Sequence, residues 1–565
     1  MSETGFFMRF IRLAGGYWHA KEQVSIRRLT AILIALTVAQ IAIAVIITEW
    51  SADLFNALDQ RSMKGLMVQV SAIILIFIAN IAITVSHLKV KRSLQIGWRT
   101  WLTEHLISRW MYKGRHYLVT HTEKGEHDNP DGRIAEDIRI ATEAAIDLCH
   151  SLLYALLLLI SFTQILWSLS GVVTLDIGFI KTPVYGHLVW LALIYACAAS
   201  LLGWLIGRPL TPATDAKQTA EANFRFSLVT AQENSLSIAM IHGEENEQQR
   251  FRVLFANIGE AWQQQTKAWE QILMFSSGYS ILSMAFPILI SAPRYILGSI
   301  TLGALMQSAQ SFQQMASALS WPVNNMAGIF EWRASVERIL GLLESLDYLE
   351  DEIASPNDPR RITLEKTDSS VLTFEKLCIA KLNGEEIVSC LNTEIKAGQH
   401  VLITGNFFTG SKLFKAITGL WPWGYGRIGL PDDEQLFFMP PRPYLPTGTL
   451  RSAICYPAAE DAFSQDALEV AFRLAGVTDL IAQLDQTDAW DKALSRETQQ
   501  RLGLVRLLLY RPKWIFIQEA FDSLDNTGEE MILRLICREL PDATLLTVTN
   551  LPNATAFHPH KLPLA

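Results

Sequence analysis

The sequence predicts an all-α membrane domain of six spanning helices followed by a soluble α/β domain, and three observations carry that reading. Half of the 565 residues are hydrophobic and only 18% are charged, against about a quarter charged in an ordinary soluble domain. Six apolar runs fall within the first 317 positions, each near the ~20 residues a helix needs to cross a bilayer. Beyond about residue 370 the pattern changes to short apolar runs alternating with helical stretches. The length suits two or three domains. With 48 basic against 56 acidic residues, a net charge of −8, no basic excess marks nucleic-acid binding.

The spans fall at about 29–49, 66–86, 149–170, 186–206, 272–292 and 296–317. Within the first, Leu29 to Ile47 is apolar apart from Thr30, Thr37 and Gln40, whereas Gln307, Ser308 and Gln310 make the second half of the sixth polar. Residues 1–28 lack the short apolar core and small-residue cleavage site of a signal peptide, and read as a cytoplasmic segment. Orientation follows Lys and Arg. The segments 1–28, 87–147 and 207–270 hold 21 of them, the opposite-side segments four (Arg61, Lys64, Lys181, Arg294), which predicts that both termini are cytoplasmic. The two long cytoplasmic stretches are polar and poor in Pro and Gly, and predict helices running past the bilayer to short coupling turns. The transmembrane domain is thus 29–345.

Gln40, Asn80, Gln164 and Gln307 lie inside spans; such residues either face a bundle interior or hydrogen-bond a neighbouring helix. No Asp, Lys or Arg lies well inside a span, and Glu49 and Glu270 sit near ends, so no proton carrier stands out. Trp50, Trp167 and Trp190 near span ends read as interfacial anchors. The six cysteines (Cys149, Cys197, Cys378, Cys390, Cys455, Cys537) include no C-x-x-C pair and read as isolated buried thiols.

Residues 346–369 are polar, contain Pro356 and Pro359, and read as a linker. Strands are expected at 370–374, 400–404, 435–439, 514–517 and 544–548, making 370–565 an α/β domain. Its second strand runs into Gly405-Asn-Phe-Phe-Thr-Gly410-Ser411-Lys412, followed by a helix-forming stretch. A phosphate-binding loop needs G-x-x-x-x-G-K-[ST] between strand and helix, so that amides approach phosphate, Lys reaches its outer oxygens and the hydroxyl holds magnesium. The glycines have that spacing, the last two positions are exchanged, and Phe407 and Phe408 put bulky rings in the loop.

Further along come Leu494-Ser495-Arg496-Glu497-Thr498-Gln499-Gln500-Arg501-Leu502, then 514–517 ending in Gln518-Glu519, then Asp522-Ser523-Leu524-Asp525. This order resembles the ATP-binding-cassette (ABC) family: its signature LSGGQ, its Walker B strand ending in Asp-Glu, and its D-loop. The membrane half carries an independent resemblance. Glu49-Trp50, Phe55-Asn56-Ala57-Leu58, Trp98-Arg-Thr-Trp101, Asn129-Pro-Asp131-Gly-Arg-Ile-Ala-Glu-Asp137, Glu221-Ala-Asn-Phe-Arg225 and Glu331-Trp-Arg333 look like the exporter-shaped subfamily D half-transporters, with the YddA-like and SbmA/BacA peptide-uptake families sharing these features.

The resemblance spans nearly the whole chain. It implies an exporter-type six-helix transmembrane domain fused to an ABC nucleotide-binding domain, placed in a bacterial inner membrane as a homodimer or as a heterodimer with an intact ABC half-transporter. The implied solutes are peptides or other bulky amphipathic molecules, and the implied cofactors ATP and magnesium. It also implies an ATP site at Gly405, Gly410, Ser411, Lys412, Ser495, Gln499 and Asp525, with Glu519 as general base.

The departures from the family pattern bear on that site. Lys412 stands where a hydroxyl residue is expected, Gln518 replaces the magnesium-positioning aspartate and cannot supply its charge, and Pro441 replaces the Q-loop glutamine. Arg496 and Glu497 replace signature glycines, and Asn550 the switch histidine. Phosphoryl transfer rests on positioning and charge stabilisation, so negligible hydrolysis and at most weak nucleotide binding are expected, with no metal site. Proton-driven uptake of the SbmA/BacA kind, or a non-transporting membrane scaffold, remain the alternative readings.

Overall fold

An unbroken apolar run in a bilayer has no water to bond its backbone, so it closes its hydrogen bonds within a helix. In the computed structural model the helices of the N-terminal half are α1 (Glu3–Trp18), α2 (Gln23–Asp59), α3 (Met63–Met111), α4 (Ile138–Ser170), α5 (His187–Gly207), α6 (Leu210–Glu233), α7 (Glu244–Ile296), α8 (Leu302–Leu319) and α9 (Trp321–Ala354), with a hairpin of β1 (Val172–Asp176) and β2 (Lys181–Tyr185) between α4 and α5. The structure describes residues 3–19, 23–121, 130–176, 181–354, 361–367, 370–381, 384–405, 407–431, 436–549 and 557–564. The chain divides into two compact units, one formed by Met1–Ile107 with Asn129–Leu342, the other by Ser108–Asp128 with Leu343–Ala565.

In the first unit, five helices among the described residues are long and apolar enough to cross a membrane: Val24–Asp59, Met63–Leu118, Pro130–Ser170, His187–Glu233 and Glu244–Ile296. The expected sixth span, at about 296–317, is not among these five. The last apolar run falls mostly in the 18-residue α8, which buries Gly303, Ser308, Ala309, Ser311 and Ala316. The Gly303 amide donates to Asn56 Oδ1 at 3.0 Å, and Gln310 Nε2 donates to Ser51 Oγ at 2.8 Å. Gln310, one of the polar residues that interrupt the run, therefore shares with Gly303 a face packed on α2, where small side chains let helix backbones approach.

Two other sequence strings acquire a packing role. The N-terminal segment contains an aromatic helix, α1. Phe10 of α1 meets Trp332 of α9 edge-on at 4.9 Å, and Trp18 meets Trp98 of α3 at 5.2 Å. Gly97 makes room for this docking, since a Cβ there would meet Tyr17 Oη at 2.6 Å. The string ending at Asp137 forms a π-turn over Arg133–Asp137. Asp137 is buried and accepts two hydrogen bonds from Arg338 of α9, one of 2.8 Å from Nε. Asn129, the first residue of this string, lies outside the described residues.

The second unit holds β3 (Ile362–Thr367), β4 (Val371–Ala380), β5 (Glu386–Lys396), β6 (His400–Thr404), β7 (Gly424–Pro431), β8 (Leu436–Met439), β9 (Trp514–Gln518), β10 (Thr544–Val548) and β11 (His560–Pro563). Its helices include α10 (Phe407–Ile417), α11 (Leu450–Cys455), α12 (Gln465–Leu474), α13 (Arg496–Tyr510) and α14 (Asn526–Glu539). A five-stranded parallel sheet runs β11-β6-β10-β9-β8, and a four-stranded sheet runs β3-β7-β4-β5 with β4 antiparallel to both its neighbours. The apolar β6, β9 and β10 are buried, as parallel strands covered on both faces must be. The stretch expected as a linker, 346–369, contains the last turns of α9 and the whole of β3.

This unit also takes in the turn after α3, one of the expected coupling tips. Arg115 and Arg109 pair with Glu350 at 3.3 Å each. The Lys415 Nζ lies 5.4 Å over the Tyr117 ring, and Gly114, at φ +76°, leaves only 2.5 Å between an added Cβ and Leu420.

Gly303→Ala is expected to destabilise the membrane unit by about 1–3 kcal/mol, because the new Cβ would meet the Ala52 carbonyl oxygen at 2.2 Å. Gly328→Ala is the control, since a Cβ there meets nothing within 4 Å. Thermal unfolding in detergent should show a lower midpoint for the first variant only.

Candidate functional site

In open parallel sheets, ligand sites form beyond the carboxyl ends of the strands. Here that edge gathers Gly405 after β6, Thr549 after β10, Gln518 and Glu519 at the end of β9, and Pro440 after β8. Gly405 leaves β6 at φ +146°, where a Cβ would come within 2.8 Å of the Leu564 carbonyl oxygen. Gly410 and Ser411 lie inside α10, which already begins at Phe407. A Cβ on Gly410 would meet Val548 at 2.8 Å, so this glycine seats α10 against β10.

Lys412 is buried, 7% exposed, with its Nζ 3.0 Å from the centre of the Trp421 ring and 5.2 Å from that of Phe408. Aromatic faces attract an ammonium at this range. Burial nevertheless pushes its pKa down to about 8, with nearby Lys415 adding to the shift. The chain thus has an inward-turned lysine one position past the expected place.

Glu519 sits at φ +42°, its amide donating to the Val548 carbonyl at 2.9 Å. Burial, with Asp522 and Glu529 close by, pushes its carboxyl above the usual range, a shift suited to an acid or base. The remaining expected site residues serve local structure. Ser495 caps α13, accepting from the Thr498 amide at 3.2 Å, and Gln499 donates to the carbonyls of Asp491 and Leu494 at 2.8 and 2.9 Å. Asp525 caps α14 through the Gly528 amide at 2.9 Å; the Thr527 hydroxyl and that amide hold its carboxyl below the usual range. Arg496 pairs with Asp522 at 2.6 Å and Arg501 Nε donates to Glu497 at 3.0 Å. Asn550, the expected switch-position residue, lies outside the described residues.

Gln500, which sequence reasoning passed over, joins these pieces. It is 1% exposed, and its Nε2 donates to the Pro441 carbonyl at 3.0 Å and to Asp522 Oδ1 at 2.6 Å, while its Oε1 accepts from the Ser523 amide at 3.3 Å. One amide therefore ties the signature helix to the Q-loop position and to the segment after β9. Among the described residues no group of three or more His, Cys, Asp or Glu is placed to hold a metal.

The membrane unit has a polar site of its own. A cavity of about 480 Å³ lies between α2, α3 and α4, lined by Gln40, Asn80, Thr84, His87, His150 and Tyr154 among others. Gln40 and Asn80 thus come together, while Gln164 is exposed and Gln307 half-buried in α8. The His87 and His150 rings stand 4.3 Å apart, and neither Nε2 has a hydrogen-bond partner among the described residues. One turn away Lys91 pairs with Asp147 at 3.0 Å, and Gln95 donates to the same carboxylate at 3.0 Å. The histidines escaped the sequence reading because they lie at the span edges; their spacing to Lys91 and Asp147 on the same helix faces was the available signal.

The buried lysine has a pH signature. Its charged form is disfavoured in the folded chain, so the unfolded chain binds the extra proton between about 8 and 10.5 and stability rises with pH across that window. Lys412→Met should flatten this rise and leave the unfolding temperature at neutral pH equal or higher. Chemical denaturation at pH 7.5 and 10 checks it, and a steeper rise in the variant would refute it.

The fold and the motif order have counterparts among known proteins. Residues 19–296 match the model of ABC transporter transmembrane region 2. The chain is 28% identical over 96% of its length, and 95% of the relative's, to the inner membrane ABC transporter ATP-binding protein YddA of Escherichia coli. It is 32% identical, over 86% of its length and 72% of the relative's, to an uncharacterized ABC transporter ATP-binding protein of Synechocystis. In fold it is similar to a bacterial Atm1-family ABC exporter with ATP bound, with a TM-score of 0.69, 18% identity, and coverage of 96% of this chain and 94% of that one. From the helical membrane unit, the parallel-sheet unit and these relatives, the chain belongs to the ABC transporter family, as a half-transporter of the subfamily D and YddA-like type.

Proposed function

We propose that this half-transporter moves peptides or other bulky amphipathic solutes across a bacterial inner membrane, and that its own cassette does not hydrolyse ATP. The observation that carries the second point is Lys412, whose ammonium is turned against Trp421 at 3.0 Å. The residues do not fit magnesium and ATP. Gln518 offers no charge to a metal, Arg496 and Glu497 fill positions where bare backbone would approach phosphate, and Ser495 and Asp525 are engaged as helix caps. Energy then comes from an intact cassette on a partner chain, with this chain as one half of a heterodimer, or from another source in a homodimer. The multi-pass topology, with both termini cytoplasmic, follows from the Lys and Arg distribution.

The cavity lined by Gln40, Asn80, His87 and His150 supports a polar solute path, since intramembrane polar groups are retained where they serve one. A second reading, proton-driven uptake, is favoured by the His87–His150 pair beside the Lys91–Asp147 ion pair. A scaffold without transport has no such observation behind it.

Purified protein in lipid nanodiscs should give magnesium-dependent ATP turnover no greater than its Glu519→Gln variant; turnover that the variant abolishes would overturn the inactive-cassette reading. In cells, uptake of a fluorescent peptide should need the protein, and His87→Phe with His150→Phe should remove most of it at unchanged protein level. Equal uptake with and without the protein would support a scaffold. Loss of uptake on collapsing the proton gradient, at constant ATP, would favour proton coupling.

A further inference from the structure

The sequence suggests isolated buried thiols, but Cys149, Cys197 and Cys390 are exposed, and two of the six cysteines stand together. Cys378 on β4 is fully buried and Cys390 on β5 is exposed, yet their Sγ atoms lie 2.7 Å apart. The sheet register brings them together. Along β4 and β5, Leu377 pairs with Leu391 but Ile379 pairs with Val388. An extra residue therefore bulges from β5 opposite Cys378, and the Cys390 amide donates to Cys378 Sγ at 3.0 Å. On the other side Cys378 is in register with Tyr425 of β7. The Tyr425 hydroxyl lies 3.6 Å from Cys390 Sγ and donates to Glu386 Oε1 at 3.0 Å.

We propose that Cys378 and Cys390 form a reversible disulfide site, oxidised by low-molecular-weight disulfides of the glutathione type. A disulfide needs about 2.05 Å between its sulfurs, so closing this pair takes only a small shift of two side chains on adjoining strands. Exposure fixes the order of events. Cys390, whose thiol is held below its usual pKa by its contacts with Cys378 and Tyr425, is the attacking thiolate, while burial pushes the Cys378 thiol up. The thiolate is the nucleophile in exchange. Cys390 Sγ bonds to one sulfur of glutathione disulfide, the sulfur–sulfur bond of the reagent breaks, and one glutathione thiolate leaves. Cys378 then gives its proton to that thiolate or to water and attacks Cys390 Sγ, expelling the second glutathione. Two thiols and one glutathione disulfide become one protein disulfide and two glutathione thiols. The product ties β5, an edge strand of its sheet, covalently to β4.

The test incubates the full-length protein in detergent with mixtures of oxidised and reduced glutathione, quenches in acid, denatures, alkylates and maps peptides by mass. The expected result is a cross-linked pair of peptides bearing Cys378 and Cys390, lighter by two hydrogens, resistant to alkylation and restored by dithiothreitol. Cys378→Ser should trap a glutathione adduct on Cys390, and Cys390→Ser should leave Cys378 reduced, because its buried sulfur cannot meet the reagent. Either of two results overturns the proposal: both thiols of the native sequence remaining alkylatable in the fully oxidised mixture, or a lasting glutathione adduct on Cys390 while Cys378 is present.

Discussion

The amide of Gly303 donates to Asn56 and draws α8 so near α2 that a single methyl group would meet backbone at 2.2 Å. Much of the membrane unit is arranged by that approach. Lipid offers no hydrophobic gain when one apolar helix packs on another, so helices in a bilayer associate through close backbone contact and interhelical hydrogen bonds. α8 supplies both, with Ser308, Ser311 and Ala309 buried and Gln310 bonded to Ser51. Bulky apolar residues flank this small-residue face: Phe312 and Met315 pack with Leu166 and Leu188 from α4 and α5. The long spans around it can stay smooth and apolar because the specific contacts are concentrated on one short helix.

The same economy runs through the second unit, where residues that read as nucleotide contacts serve as joints. Ser495 and Asp525 each satisfy an otherwise open helix end, which a short polar side chain at that position does well. Gln500 has several partners on two separate segments, and a buried amide so engaged fixes a unique arrangement more than it adds stability. A cassette held by these joints keeps its shape independently of its phosphate contacts, so the motif order can persist where the motif residues differ.

How much of this was legible depends on the kind of signal. The apolar strands β6, β9 and β10 stood out because strands buried on both faces read as continuous runs. The strands β3, β5, β7 and β11 did not, since they alternate with polar residues or carry glycines, as in Gly424-Tyr-Gly-Arg, whose pattern is also that of a loop. Five spans were plain from length and apolarity, and the sixth was harder to read because polar residues such as Gln310, bonded to Ser51 on a neighbouring helix, interrupt it. At the candidate site the loss of Lys placement could be counted along the sequence. The direction in which Lys412 turns could not, because it depends on Trp421, which follows the end of α10. The cysteine pair joins residues on different strands, and no local pattern announces such a contact; for the histidine pair only the spacing to Lys91 and Asp147 was there to read.

The docking of α1 has a consequence for genetics. Trp98 and Trp332 belong to the strings by which this kind of membrane domain is recognised, yet in this chain their rings grip an N-terminal helix through Phe10 and Trp18. A collection of loss-of-transport alleles would therefore contain substitutions at these tryptophans beside any that strike the solute path. The two groups would be indistinguishable by phenotype. They separate by the amount of protein that reaches the membrane, since an allele that frees α1 exposes an aromatic face to the quality-control proteases, whereas one that blocks the path leaves a normal complement of inert transporter.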